Sequence, residues 1–265
     1  MASAPFTPLH RGGSGPPLLC LHGFADTWRT WELVLPLLER EHDVLAPTLA
    51  GHAGGPRIEG EIHEDVLADG VERALDQVGW ETAHVVGSSL GGYVALQLAA
   101  RGRARSVVAL APSGGFAEGD EGWRETLRYH EAMLEAVRAA APHAEASLAS
   151  PKSRRRPTLN IAVRYEHIPV ELLVHQLRGA AACDAGLPLI EVAHRVGWPL
   201  DAERISCPVR IVWGTDDRVL PWPRAAARHR ERLPKADWVE LDGVGHLPQL
   251  DVPLETSALI LGFTA

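Results

Sequence analysis

Short apolar runs alternate along this chain with longer segments whose apolar positions recur at helical spacing. Pro17 to Leu21 (PLLCL), Asp43 to Ala46, His84 to Gly87, Ser106 to Ala111, Val209 to Trp213 and Asp237 to Leu241 read as strands. The runs are mostly apolar throughout, as in strands covered on both faces. Glu61 to Val78 places Ile62, Val66, Leu67, Val71, Ala74, Leu75 and Val78 on one stripe and predicts a helix. Trp28, Trp31, Leu35 and Leu38 fall near helical spacing within Thr27 to Arg40. Gly92 to Arg101, Arg224 to Arg232 and Leu254 to Phe263 complete the helical set. The β-α-β-α rhythm predicts an α/β fold: a mostly parallel central sheet with helices on both faces.

The rhythm stops after Pro112. No strand-like run occurs from Phe116 to Trp198, where Trp123 to Ala140 and Val170 to Arg178 read as helices. Between them Ser150 to Thr158 (SPKSRRRPT) reads as a solvated basic loop carrying Arg154, Arg155 and Arg156. The expectation is one α/β domain made of residues 1–115 and 199–265, interrupted by a helical insert at 116–198.

Composition narrows the function. The 265 residues suffice for a sizeable core. Hydrophobic residues at 46% and charged residues at 23% exclude a disordered chain. A net charge of −8 opposes binding to nucleic acid. Cys20, Cys183 and Cys207 lie far apart with no CxxC, as expected of reduced thiols in a cytoplasmic protein and not of a metal site. Met1 to Arg11 has no apolar core of the signal-peptide kind, and no apolar run approaches the roughly 20 residues of a membrane span.

Gly87-Ser88-Ser89-Leu90-Gly91 lies between a strand and a helix and fits G-x-S-x-G. A serine on so sharp a turn needs tiny neighbours, and Gly87, Gly91 and Gly92 supply them. A nucleophilic Ser89 needs a base. His246, in Asp242-Gly243-Val244-Gly245-His246, sits beyond a strand's carboxyl end, where open α/β sheets place their sites. A base histidine needs an orienting carboxylate. Asp216 and Asp217 both follow the Val209 to Trp213 strand, and one of the two suffices as a turn former. His22 and His52 have no carboxylate or thiol at metal-like spacing, so no metal ligand is assigned.

The order Ser89, Asp217, His246 resembles the triad of the α/β-hydrolase fold superfamily, and Leu21-His22-Gly23-Phe24 resembles its oxyanion segment. The chain is similar to the capped serine esterases and carbon–carbon bond hydrolases of that fold. The resemblance implies that the acid is Asp217, three residues after Gly214. It implies oxyanion donors at the backbone N–H groups of Phe24 and Leu90, and a helical cap formed by the insert. It implies hydrolysis of a small carboxylic ester through an acyl-enzyme, with a small-molecule substrate and no cofactor. Trp28, Trp123, Tyr129 and Tyr165 are the candidate substrate-binding residues. Two alternatives stay open: cleavage of a C–C bond in a vinylogous diketone, and a non-catalytic ligand-binding member of the fold.

Overall fold

Seven strands pair into one sheet in the computed structural model, which describes residues 5–264. They are β1 (Leu9–Gly13), β2 (Pro17–Leu21), β3 (Asp43–Pro47), β4 (Ala83–Ser88), β5 (Ala104–Leu110), β6 (Val209–Gly214) and β7 (Asp237–Leu241). The spatial order is β1-β3-β2-β4-β5-β6-β7. Only the β1–β3 pair is antiparallel. Outside the β5–β6 connection lie α1 (Leu35–Leu38), α2 (Val66–Gln77), α3 (Leu90–Ala100), α9 (Ala227–Arg232), α10 (Pro248–Asp251) and α11 (Pro253–Thr264). Within it lie α4 (Gly122–Ala140), α5 (Ala144–Leu148), α6 (Pro151–Thr158), α7 (Val170–Ala181) and α8 (Gly186–Val196).

The apolar strands divide their side chains between the two faces of the sheet, as the two-residue period requires. Leu19, Val85, Val107, Ala109 and Ile211 pack with α2 and α3. Leu18, Cys20, Val86, Val108 and Val212 pack on the other face with Trp31, Leu38 and Ile260. The parallel strands end level: Leu21 pairs with Gly87, Ser88 with Leu110, Leu110 with Val212 and Gly214 with Leu241. The loops that follow β2, β4, β6 and β7 therefore open on one edge, which is where such sheets form their crevices.

Three local expectations are corrected. Ser150 to Thr158 is not a loop: Pro151–Thr158 is helical. Ser150 and Ser153 cap each other's backbone N–H groups at 3.1 Å, and Pro151 occupies the first turn, where its missing N–H costs nothing. Arg155 and Arg156 are exposed on that helix and Arg154 is half-buried. Thr27 to Arg40 is not one helix but a 3-10 turn at Trp28–Trp31 followed by α1, with Pro36 at the start of α1. The helix expected from Glu61 starts only at Val66. Four strands and helices went unforeseen: β1, α5, α8 and α10. β1 is a short edge strand through Gly12 and Gly13, and α8 carries Pro188 in its first turn. The reading of Met1 to Arg11 falls partly outside the described residues. Among the described residues no helix is long and apolar enough to cross a membrane.

Candidate active site

The turn after β4 forces Ser89 into a backbone conformation that few residues adopt, with φ 54° and ψ −115°. Such a residue stores about 1–3 kcal/mol of strain and persists only when its surroundings over-determine it. They do so here. The Ser89 N–H donates to Leu110 O at 2.8 Å, and its carbonyl accepts the N–H groups of Tyr93 and Ser113, each at 3.1 Å. A Cβ on Gly87 would lie 2.1 Å from Gly91 O, and one on Gly91 would lie 2.3 Å from Leu21 O. Both positions are closed to any side chain.

The loop after β2 is held by a buried imidazole. His22 Nδ1 donates to Gly23 O at 2.8 Å, while its Nε2 accepts the N–H of Leu49 at 2.8 Å. An accepting ring nitrogen is unprotonated, and burial lowers the pKa of His22 well below its usual value. The His52 ring stands 5.0 Å away, and burial lowers its pKa to about 4. His22 and His52 are thus neutral scaffold groups, and among the described residues no three His, Cys, Asp or Glu side chains cluster as a metal site. Also among the described residues, the backbone N–H groups of Phe24 and Leu90 donate to no protein acceptor.

The structure separates the two candidate acids. Asp216 is exposed, whereas Asp217 is 5% exposed. Asp217 Oδ1 accepts the N–H groups of Val219 at 2.8 Å and Leu220 at 2.7 Å. Its Oδ2 accepts from His246 Nδ1 at 2.7 Å. This bond places the proton on Nδ1 and leaves Nε2 as the basic lone pair. His246 and Ser89 are each 4% exposed and line one cavity of about 180 Å³. Among the described residues, the Ser89 hydroxyl makes no hydrogen bond in this rotamer. Catalytic contacts of this kind commonly tighten only when substrate is bound.

The β5–β6 segment roofs this cavity. Tyr129, His130 and Met133 come from α4, Pro157 and Thr158 from α6, and Gln176 and Leu177 from α7. A smaller cavity of about 70 Å³ lies beside it, lined by Leu90, Tyr93, Trp123 and Trp198. Phe24 and His130 belong to both walls, with their rings edge to face at 4.9 Å. Burial, reinforced by nearby His246, lowers the His130 pKa to about 4. Among the described residues, no Lys or Arg lines either cavity.

Two of the four candidate substrate contacts lie on these walls: Tyr129 on the larger cavity and Trp123 on the smaller. The other two do not. Trp28 stacks on His10 at 5.0 Å and donates Nε1–H to Thr7 Oγ1, because the 3-10 turn directs it to the β1 side. Tyr165 is buried among Leu148, Ile168 and Leu172. Sequence reasoning assigned Asp26 no role and did not single out Gln176 or Asp251. Asp26, two residues after Phe24, carried a signal in its position, whereas Gln176 and Asp251 carried none.

Comparison with known proteins agrees with the fold. A family model described as alpha/beta hydrolase fold matches residues 16–253. An epoxide hydrolase, EphH, of Mycobacterium tuberculosis is 36% identical over 199 residues, which cover 75% of this chain and 93% of that protein. A 2-hydroxymuconate semialdehyde hydrolase of a Pseudomonas species is 36% identical over 114 residues, 41% of this chain and 40% of that one. The enol-lactonase of Burkholderia xenovorans LB400 superposes with a TM-score of 0.73 at 17% identity, covering 96% of this chain and 95% of that one. At that identity the likeness bears on the fold alone.

Proposed function

This chain belongs to the alpha/beta hydrolase fold family, and we propose that it is a serine hydrolase of small carboxylic esters. The observation that carries the proposal is the 2.7 Å bond from His246 Nδ1 to a buried Asp217, which leaves Nε2 free on the cavity that holds Ser89. Nε2 takes the Ser89 proton as Oγ attacks the ester carbonyl. The carbonyl oxygen becomes an oxyanion held by the unpartnered N–H groups of Phe24 and Leu90, each worth about 10²–10³ in rate. The tetrahedral adduct collapses, the C–O bond to the alcohol breaks, and the imidazolium returns its proton to that oxygen. Water, deprotonated by the same Nε2, then hydrolyses the acyl-serine. Asp217 holds the tautomer and stabilises the imidazolium throughout.

Residues 116–198 act as the cap of this site. The kinship with an epoxide hydrolase does not transfer its substrate, because relatives that open epoxides attack with an aspartate and the elbow here holds Ser89. The absence of Lys and Arg from both walls, among the described residues, argues against a substrate bearing a carboxylate beside its scissile bond.

The test compares Ser89→Ala with the parent protein on p-nitrophenyl acetate and on a vinylogous diketone. The proposal requires that the parent favour the ester and that turnover vanish in the variant while the unfolding transition stays cooperative. A serine-directed fluorophosphonate should label the parent at Ser89 alone. Full activity in the variant removes the serine reading, and preference for the diketone replaces the ester with C–C cleavage.

A further inference from the structure

The larger cavity is apolar over most of its wall, through Phe24, Met133, Leu148, Leu173 and Leu247. One carboxylate stands in it. Asp26 is 8% exposed and sits two residues past the proposed oxyanion donor Phe24. Its Oδ1 accepts the N–H of Thr27 at 2.8 Å, and its Oδ2 accepts Gln176 Nε2–H at 3.1 Å from α7. A carboxylate has about four acceptor positions, so capacity remains. Among the described residues, no cation neutralises it.

Gln176 is oriented by this contact. Its Nε2 must face the acid, which fixes Oε1 on the other side of the amide, and Oε1 is buried without a partner. An orphaned acceptor costs about 1–3 kcal/mol unless something donates to it. Burial pushes the Asp26 carboxyl up to about 6, so the group also costs stability near neutral pH. Asp26 keeps acceptor capacity on the cavity wall, and beside it the Gln176 Oε1 is a buried acceptor without a partner, so a donor entering here would complete both.

We propose that Asp26 and Gln176 form a polar subsite that binds a hydrogen-bond donor, a hydroxyl or an ammonium, carried by an otherwise apolar substrate. The ester hydrolysed here is thus one whose apolar body carries a hydroxyl or amino group, and carboxylates are turned away. The word substrate rests on the hydrolase reading, but the subsite does not, so it is tested by binding.

The experiment uses the Ser89→Ala protein and calorimetric titration with 4-phenylbutylamine, 4-phenyl-1-butanol and 4-phenylbutyrate, which share one body and differ in the head group. The amine and the alcohol should bind at least about tenfold more tightly than the carboxylate, a difference of about 1.4 kcal/mol. Asp26→Ala on the same background should bring the three within about threefold of one another. Asp26→Asn should lose the advantage of the amine and keep that of the alcohol. Gln176→Leu should weaken the alcohol. Should Asp26→Ala fail to fold, the Asn and Leu variants decide. A merely structural Asp26–Gln176 tether would lower the unfolding temperature and leave the head-group ranking unchanged, which overturns the proposal. It also falls if the carboxylate binds as well as the amine, or if neither donor binds more tightly than about 10 mM. Loss of ester turnover in Ser89→Ala bears on the nucleophile only, so the two ideas fail separately.

Discussion

The Asp251 carboxylate accepts the backbone N–H of Gly245 at 2.6 Å, one residue before His246. The same side chain accepts the N–H groups of Val163 at 3.0 Å and Arg164 at 2.7 Å. One buried acid thus ties the loop of the proposed base to the helical segment above it. Asp251→Ala should lower kcat far more than it changes KM and should destabilise the fold by about 2 kcal/mol, since it strands the buried N–H of Gly245 and the half-buried N–H groups of Val163 and Arg164. Steady-state kinetics with urea unfolding checks both, and an unchanged kcat would remove the positioning role.

Asp217 and Asp216 are neighbours with opposite surroundings. Asp217→Asn should lower kcat by about 10⁴, because the amide can donate to Nδ1 and favour the wrong tautomer. Asp216→Asn, at an exposed side chain, should change kcat by less than about twofold. Equal effects would refute the assignment of the acid.

Burial lowers the pKa values of His52 and His229 to about 4, and both rings are almost fully covered. In the unfolded chain they titrate near 6.5. Between pH 4 and 6.5 the unfolded state therefore binds more protons, and folding stability falls as the solution is acidified through that window. Each ring contributes up to about 3 kcal/mol to the loss. His130 and His175, also lowered to about 4, act in the same direction. The urea midpoint should drop steeply from pH 7 to pH 4.5 and be flat from pH 7 to pH 8.

Asp26 has the opposite sign. Its folded carboxyl keeps its proton up to about pH 6, while the unfolded one loses it near 3.8. The folded state binds more protons between those values, so this group removes stability as pH rises, by about 3 kcal/mol in all. Asp26→Asn should be more stable than the parent at pH 8 and equal to it below pH 4. Matched urea curves at the two pH values measure the difference, and a variant no more stable at pH 8 refutes it.

The inner strands β2 to β6 were legible because they are buried on both faces and read as mostly apolar runs. Ser89 and His246 stood out through their glycine-rich turns, whereas the place after β6 offered both Asp216 and Asp217, and the choice between them came from the resemblance. β1 was hidden because an exposed edge strand through two glycines lacks an apolar run. α6 was hidden because arginines and prolines mask a helix whose capping box depends on two serines three residues apart. The cavity wall was illegible for a more general reason. Gln176 meets Asp26 across 150 positions of chain, and no local pattern encodes such a contact.

The three backbone bonds that pin Ser89 to Leu110, Tyr93 and Ser113 are made wholly within the chain. The bend is therefore cast when the polypeptide folds, and an arriving molecule need not supply work to shape it.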